Sequence, residues 1–178
     1  SALLEPYPAR FFEVLRECGA LAKLLPELFE LSQHVFAWNV RMLWLGLAAQ
    51  EQRPISMTYS LMCVGLGVPL PPLHLRLRVP KDCADAADIL QDAYADLLQT
   101  GIPTAVNMLK VFQRCDVWRR PERWQLLWQS CLLMSQLPNT PKPHFIWLSA
   151  LKACLSVDTA SIALSCADKR AIPEQVRL

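Results

Sequence analysis

The segment Ala37-Trp-Asn-Val-Arg-Met-Leu-Trp-Leu-Gly-Leu-Ala-Ala-Gln50 decides the fold, because it is apolar on almost every side of a helix and contains one charge, Arg41. A helix with so little polar surface is typical of a protein core. It is too short to cross a bilayer, which needs about 20 apolar residues. We therefore predict a buried helix over residues 37–50, with the other elements packed around it.

The rest of the chain has the pattern of short helices separated by prolines. There are 14 prolines and only 5 glycines, and no segment alternates between apolar and polar residues as a strand would. The sequence predicts an all-α, multi-helix bundle of about eight to ten helices. The helices and their punctuation are expected at Ala9–Glu17, Leu21–Leu31 with a break near Pro26, Pro54–Gly65, a short element Leu73–Val79, a helix capped by Asp82 that runs to Gln99, one capped by Thr104, one begun by Pro121, Phe145–Leu155, and Thr159–Ala167 capped by Asp158.

Composition excludes several classes of protein. With 53% hydrophobic and 19% charged residues the chain is not disordered, and a net charge of +2 does not suit a dedicated nucleic-acid binder, so any such contact must come from local patches. The seven cysteines form no CxxC pair, which favours reduced, buried thiols over a zinc site or disulfides.

We find no signal peptide and no membrane span, and expect a cytoplasmic protein. Because the chain opens with Ser1 and enters a helix at once, we expect it to be part of a longer protein.

No pattern in the sequence predicts a catalytic or metal site. His34, His74 and His144 have no carboxylate at ligand spacing, so we interpret them as surface or capping residues. The segment Gly65-Leu-Gly67 lacks the residues of a phosphate-binding loop, and no nucleophile elbow is present. A row of acids on one helix face is interpreted as solvated: Asp85, Asp88, Asp92 and Asp96. We expect no cofactor, no metal and no catalytic residue.

The densest mixture of arginine and tryptophan lies in residues 116–124. Arginine matches phosphate geometry and tryptophan stacks on bases, so this segment is a candidate nucleic-acid contact. The alternative is an ordinary helix start, with Trp124 in the core and the arginines solvated. The candidate RNA-binding residues are Trp118, Arg119, Arg120 and Arg123, followed by a weaker group of Arg76, Arg78 and Lys81.

The same segment carries a family resemblance. Phe112-Gln-Arg-Cys-Asp-Val-Trp-Arg-Arg-Pro-Glu-Arg123 resembles the Phe-x-x-x-Asp-x-Trp-Arg-x-Pro signature in the C-terminal half of bacterial tRNA nucleotidyltransferases, the CCA-adding enzymes. Arg10–Leu21 with Leu25–Leu28 resembles the body helices of that family, Leu77–Pro80 the start of a helix after its HD phosphohydrolase site, and Val157–Thr159 more weakly its tail. The family's nucleotidyl-transfer motifs, a Gly-Gly turn and Asp-x-Asp, are absent. The resemblance therefore implies that this chain does not add nucleotides alone.

The resemblance also implies an HD-like domain that has lost its metal ligands. Val64 and Gly65 stand where the family reads His-Asp, the first family histidine falls on Val40, and the distal aspartate falls near Cys131. The histidine-rich loop of the family is missing between Val68 and Arg76. Valine and glycine side chains offer no donor atoms to a divalent ion. We expect a degenerate HD-domain-like bundle.

Together these observations lead to one preferred function and one competing class. Residues 1–36 are expected to be body and linker helices, residues 37–137 the degenerate HD-like domain, and residues 138–178 tail helices. The chain would position the acceptor arm of tRNA by backbone contacts, for CCA addition by a head domain of the same polypeptide. The alternative is a scaffold, protein-interaction or dimerisation module without RNA binding. A third and weaker alternative is an enzyme with an unrelated site in the same fold.

Overall fold

The computed structural model describes residues 2–157, and this part of the chain is all-α, as predicted. A short 3-10 helix, Ala2–Leu4, precedes ten α-helices, and no strand is found between residues 2 and 157. The helices are α1 (Pro8–Glu17), α2 (Leu21–Leu24), α3 (Pro26–Ser32), α4 (Val35–Gln50), α5 (Ile55–Cys63), α6 (Leu70–Arg76), α7 (Lys81–Leu97), α8 (Ala105–Cys115), α9 (Pro121–Met134) and α10 (Ile146–Leu155).

The chain divides into two compact units between His144 and Phe145. The first unit contains α1 to α9 and both predicted groups of basic residues. The described part of the second unit is the single helix α10. The boundaries expected after residues 36 and 137 stay predictions. None of the described helices has the length and apolarity that a membrane crossing requires.

Prolines set the helix boundaries, largely as the sequence indicates. The predicted break near Pro26 is a complete interruption at Leu25, whose φ of −140° is incompatible with a helix. Thr104 caps α8 as expected, because its Oγ1 accepts a hydrogen bond from the backbone N–H of Asn107 at 3.2 Å. The predicted Asp82 cap is wrong: α7 already begins at Lys81 behind Pro80, and Asp82 lies inside the first turn.

One further helix starts at a different residue from the prediction, and one predicted helix cannot be compared. The short element expected at Leu73–Val79 is the helix α6, which starts earlier because two prolines are favourable in a first helical turn. The helix expected at Thr159–Ala167, its cap Asp158, and Cys166 lie outside the described residues.

The centre of the first unit is α5, around which α4, α7 and α9 pack. Every residue from Met57 to Cys63 is buried, so α5 has no solvent face. The prediction of a buried helix over residues 37–50 holds for one side of α4, because Leu43 within that span is 54% exposed. Val35 and Phe36, which precede the span, are 71% and 82% exposed, and the other side of α4 packs on the bundle. The inward residues of α4 are Trp38, Arg41, Met42, Leu45 and Ala48.

Most of the described cysteines are buried thiols, as the sequence predicts. Cys63, Cys83, Cys115 and Cys131 are buried and unpaired, whereas Cys18 is exposed. Burial raises the pKa of Cys63 and of Cys115 to about 12, and it also raises the pKa of Cys131. At neutral pH these three thiols are therefore protonated and poor nucleophiles.

Alkylation of the native protein should follow this division. Iodoacetamide at neutral pH should modify Cys18 rapidly and leave Cys63, Cys115 and Cys131 unmodified until denaturant is added, because both access and thiolate formation are suppressed. Peptide mapping by mass spectrometry identifies the labelled positions. Native labelling of the three buried thiols at the rate of Cys18 would contradict the packing described for α5, α8 and α9.

Candidate nucleic-acid interface

The connection between α8 and α9 contains the candidate RNA-binding segment, and its shape depends on Asp116. Asp116 ends α8 in the left-handed conformation, with φ of 54°, which aspartate tolerates better than most residues. Its backbone carbonyl accepts a hydrogen bond from the N–H of Arg120 at 2.7 Å, and its carboxylate accepts one from Nε of Arg119 at 3.1 Å. These contacts turn the chain sharply into α9, which Pro121 begins as predicted.

The apolar residues of the same segment anchor it to the core. Phe112, Val117 and Trp124 are buried, and the rings of Phe112 and Trp124 meet edge to face with centroids 5.1 Å apart. Trp124 in turn stacks on Trp128 at 5.7 Å. The alternative interpretation was therefore right about Trp124. Trp118 is 45% exposed, and with Arg119 and Arg120 it forms the surface of the connection.

The first turns of α7 and α9 are joined side by side. The Arg123 guanidinium on α9 donates a hydrogen bond to the Asp85 carboxylate on α7, with Nη2 and Oδ2 2.5 Å apart. A cavity of about 350 Å³ opens next to this pair, and both Asp82 and Arg120 line it. Of the weaker basic group, Lys81 is next in the chain to Asp82, whereas neither Arg76 nor Arg78 lines this cavity.

Carboxylates hold three of the six candidate cations. Arg123 is paired with Asp85 as described, and Arg119 is paired with Asp116 while its side chain stays 84% exposed. Arg76 makes a two-pronged contact with Glu27, at 2.9 and 2.7 Å. That contact lowers the pKa of Glu27 and ties α6 to α3. Arg76 and Arg123 consequently have structural partners that the sequence did not reveal.

The other three cations, Arg120, Arg78 and Lys81, are exposed and have no carboxylate partner within residues 2–157. No side chain caps the N-terminal N–H groups of α7 or α9. Helix N-termini carry a partial positive charge that favours anions. Asp82 and Glu122 lie in the same first turns and offset part of it. Three of the six candidate cations are thus unneutralised, and acidic residues lie close to them in sequence.

A buried arginine lies where the resemblance places the metal site. Val64 is buried, Val40 is half-buried and Gly65 is exposed, and none of them has a donor side chain. The Arg41 guanidinium donates hydrogen bonds to the carbonyl oxygens of Leu61 at 2.5 Å, of Met62 at 2.9 Å, and of Val64. These three carbonyls lie at the C-terminal end of α5, where the helix dipole favours a cation.

Arg41 is an isolated buried charge. Burial lowers its pKa to about 10, which still leaves the guanidinium charged at neutral pH. It has no carboxylate partner in the part of the chain that the structure describes, and its Nε has no hydrogen-bond partner there. Over the same residues, no three His, Cys, Asp or Glu side chains lie close enough together to hold a metal ion.

The sequence interpretation missed a buried polar chain. His74 is buried, not a surface or capping residue: its Nε2 lies 3.1 Å from the Asp88 carboxylate and its Nδ1 2.9 Å from the Tyr59 hydroxyl. Fourteen residues separate His74 from Asp88, a distance that spans the turn between α6 and α7 and resembles no ligand motif. The chain of hydrogen bonds joins α5, α6 and α7.

The acidic face of α7 was predicted to be solvated, but three of its four acids contact side chains of neighbouring helices. Asp85 binds Arg123, Asp88 binds His74, and Asp92 accepts a hydrogen bond from Arg114 of α8 at 2.8 Å. The helical spacing that places these acids on one face also places them opposite three neighbouring elements. These charges therefore contribute to helix packing as well as to solubility.

Comparison with known proteins decides the family. A multifunctional CCA protein of Aromatoleum aromaticum is 32% identical over 208 residues, an alignment that covers 98% of this chain and 51% of the relative. Proteins of the same name from Chromobacterium violaceum and Azoarcus sp. are 32% and 31% identical, again over 98% of the chain. The chain belongs to the family of the multifunctional CCA proteins. The relationship to tRNA nucleotidyltransferases predicted from the sequence is thereby confirmed.

The chain spans about half the length of the curated relatives it matches. The alignments run over 208 residues, more than the 178 of the chain, so the matched region is longer in those relatives. No family model matches the chain. No solved structure matches it either.

Replacement of Arg41 tests the energetic role of the buried guanidinium. Arg41→Met should lower the free energy of unfolding by about 3 kcal/mol, because three buried carbonyls lose their donors at about 1–3 kcal/mol each, partly offset by removal of a buried charge. The matched control is Arg114→Met, which removes an exposed arginine paired with Asp92 and should cost less than about 1 kcal/mol. Urea denaturation measures both. Equal losses in the two variants would show that Arg41 has no special role.

Proposed function

We propose that this chain is the non-catalytic part of a tRNA nucleotidyltransferase-like protein that works in the cytoplasm. In this proposal it positions the acceptor arm of tRNA by backbone contacts, and a head domain in the remaining half of the polypeptide adds CCA. The kinship with multifunctional CCA proteins, which covers 98% of the chain but half of the relatives, is the observation that carries the proposal. The absence of a Gly-Gly turn and of Asp-x-Asp from the sequence supports a non-catalytic role.

The HD-like part of the bundle is proposed to be degenerate. The support is chemical: Val40, Val64 and Gly65 provide no metal ligands, and the neighbouring Arg41 places a positive charge beside them. A cation at this position opposes the binding of a divalent ion by direct repulsion. The helical shell would then serve as a platform for contacts made elsewhere on the surface.

The proposed contact surface consists of Trp118, Arg119 and Arg120, extended by Arg78 and Lys81. All five are exposed. Their guanidinium and ammonium groups would contact phosphates, and Trp118 would stack on an unpaired base or pack on a ribose. Such contacts read the shape of an RNA more than its sequence.

The two remaining candidates receive a different role. Arg123 and Arg76 are held by Asp85 and Glu27 and are proposed to shape the surface rather than to touch RNA. Replacement of Arg123 would break a partly buried ion pair and disturb α7 and α9. It is therefore unsuitable as a test of RNA contact.

A second candidate function has its own support. Val35, Phe36 and Leu43 form an exposed apolar group on α4, a helix without an exposed charge. Such a surface favours contact with another protein, with the head domain, or with a second copy of the chain. In this alternative the bundle is a scaffold or dimerisation module that does not bind RNA.

Salt-dependent binding of tRNA separates the two functions. Wild-type affinity for tRNA should fall steeply as salt rises, because phosphate contacts release counterions. Arg119→Glu combined with Arg120→Glu should weaken binding at least about tenfold and flatten the salt dependence. Fluorescence anisotropy with labelled tRNA measures both quantities.

The control for this experiment is Lys23→Glu combined with Lys110→Glu, the same change in net charge at exposed positions that make no ion pair among the described residues. This pair should change the affinity by less than about twofold, within the general effect of net charge. Equal weakening by the two double variants would contradict the proposed surface. A wild-type chain that fails to bind tRNA, yet sediments as a dimer, would favour the scaffold.

A further inference from the structure

The cavity between α5, α7 and α9 is a separate feature of the same end of the bundle. Its volume of about 350 Å³ lies within the range of about 300–1000 Å³ typical of small-ligand pockets. α5 contributes Ser56, α7 contributes the acids and the apolar wall, and α9 contributes the arginines and the opposite wall. Nothing in the proposed tRNA contact by itself requires such a cavity.

The buried lining of the cavity is mainly apolar. Ile89 and Leu90 of α7 and Leu127 of α9 are buried there, and Ala86 and Leu126 are half-buried. The gap between two rows of aliphatic side chains suits a flat ring, which can bury both faces without a polar partner.

The opening of the cavity is polar and carries both signs of charge. Arg120 has no carboxylate partner among the described residues, and it lies at the N-terminal end of α9. Pro121 has no N–H and the N–H of Arg123 donates to the Arg120 carbonyl, so the N–H of Glu122 is the one in this first turn that stays open to a ligand. One phosphate group would contact both the Arg120 guanidinium and this N–H. Asp82 and Glu122 repel any phosphate, and this opposition grows with each further negative charge, so the cavity favours a ligand with one phosphate over one with several. Their carboxylates can accept hydrogen bonds from hydroxyl or amino groups.

Asp85 is already neutralised by Arg123, so it does not oppose a phosphate at Arg120. The site thus combines a place for one phosphate, acceptors for hydroxyl or amino groups, and an apolar slot. We propose that this cavity binds a nucleoside monophosphate unit, with its base between α7 and α9 and its phosphate at Arg120. The inference rests on the proposed function, because Arg120 belongs both to the RNA surface and to the cavity.

The test uses adenosine 5′-monophosphate, adenosine, adenosine 5′-triphosphate and a short single-stranded RNA as probes for the whole chain. Isothermal titration should show that the monophosphate binds at least about tenfold more tightly than adenosine, a difference that one charge-assisted phosphate contact provides. The triphosphate should bind no more tightly than the monophosphate. No binding of the monophosphate at about 10 mM would overturn the inference.

Two variants assign the binding to this cavity. Ala86→Phe should abolish binding of the monophosphate by filling the slot, whereas Ala95→Phe, the same change at an exposed position of α7, should leave it unchanged. Arg120→Gln should weaken the monophosphate about tenfold and leave adenosine unaffected. If circular dichroism shows that Ala86→Phe does not fold, Arg120→Gln alone tests the cavity. Equal binding of the monophosphate to Arg120→Gln and to the wild type would overturn the inference.

The RNA arm distinguishes the source of the nucleotide and the two proposals from each other. A loss of RNA affinity of about fivefold in Ala86→Phe means that the nucleotide belongs to the bound RNA. Loss of monophosphate binding alone means that the cavity takes a free nucleotide, which also supports the inference. If tRNA binds through Arg119 and Arg120 but the monophosphate does not bind, the cavity inference fails and the proposed function stands. If the monophosphate binds but tRNA does not, the cavity inference stands and the proposed function fails.

Discussion

The buried Arg41 guanidinium constrains the rest of this structure. Its three hydrogen bonds to the carbonyls of Leu61, Met62 and Val64 close the C-terminal end of α5, the helix at the centre of the bundle. A charge at this depth persists only if its donors find acceptors, and the end of a helix supplies several in one place. The arrangement fixes α4 against α5 and brings a cation to the position where the family resemblance expects metal ligands.

A second set of charges fixes α7 against α8 and α9. Asp85 with Arg123 joins the first turns of α7 and α9, and Asp92 with Arg114 joins α7 to α8. Because these acids occupy Arg123 and Arg114, only part of the arginine content near the α8–α9 connection is available for a ligand. The pairing therefore decides which cations of a nearly neutral chain can contribute to an electrostatic surface. Of the two arginines that line the cavity, Arg123 is paired with Asp85, and Arg120 has no carboxylate partner among the described residues.

The hydrogen-bonded chain of Tyr59, His74 and Asp88 is a polar part of the core that composition alone did not predict. In one tautomer His74 donates from Nε2 to Asp88 and accepts from the Tyr59 hydroxyl at Nδ1, so both ring nitrogens and the Tyr59 hydroxyl have a hydrogen-bond partner. The residues are far apart in sequence and follow no ligand spacing. Their proximity depends on the turn at Pro80, which folds α6 back along α7.

Local rules in the sequence determined the helical class, the breaks at Pro26 and Pro121, the Thr104 cap and the buried Trp124, because proline geometry, capping and helical periodicity act over a few residues. The family also followed from the sequence, since a signature such as Phe112–Arg123 can be read along the chain. Only the tertiary structure decided which side of α4 stays exposed, which arginines are paired, and that His74 is buried. His74 and Asp88 are 14 residues apart, Arg123 and Asp85 are 38, and Arg76 and Glu27 are 49, so no short window of sequence contains these pairs.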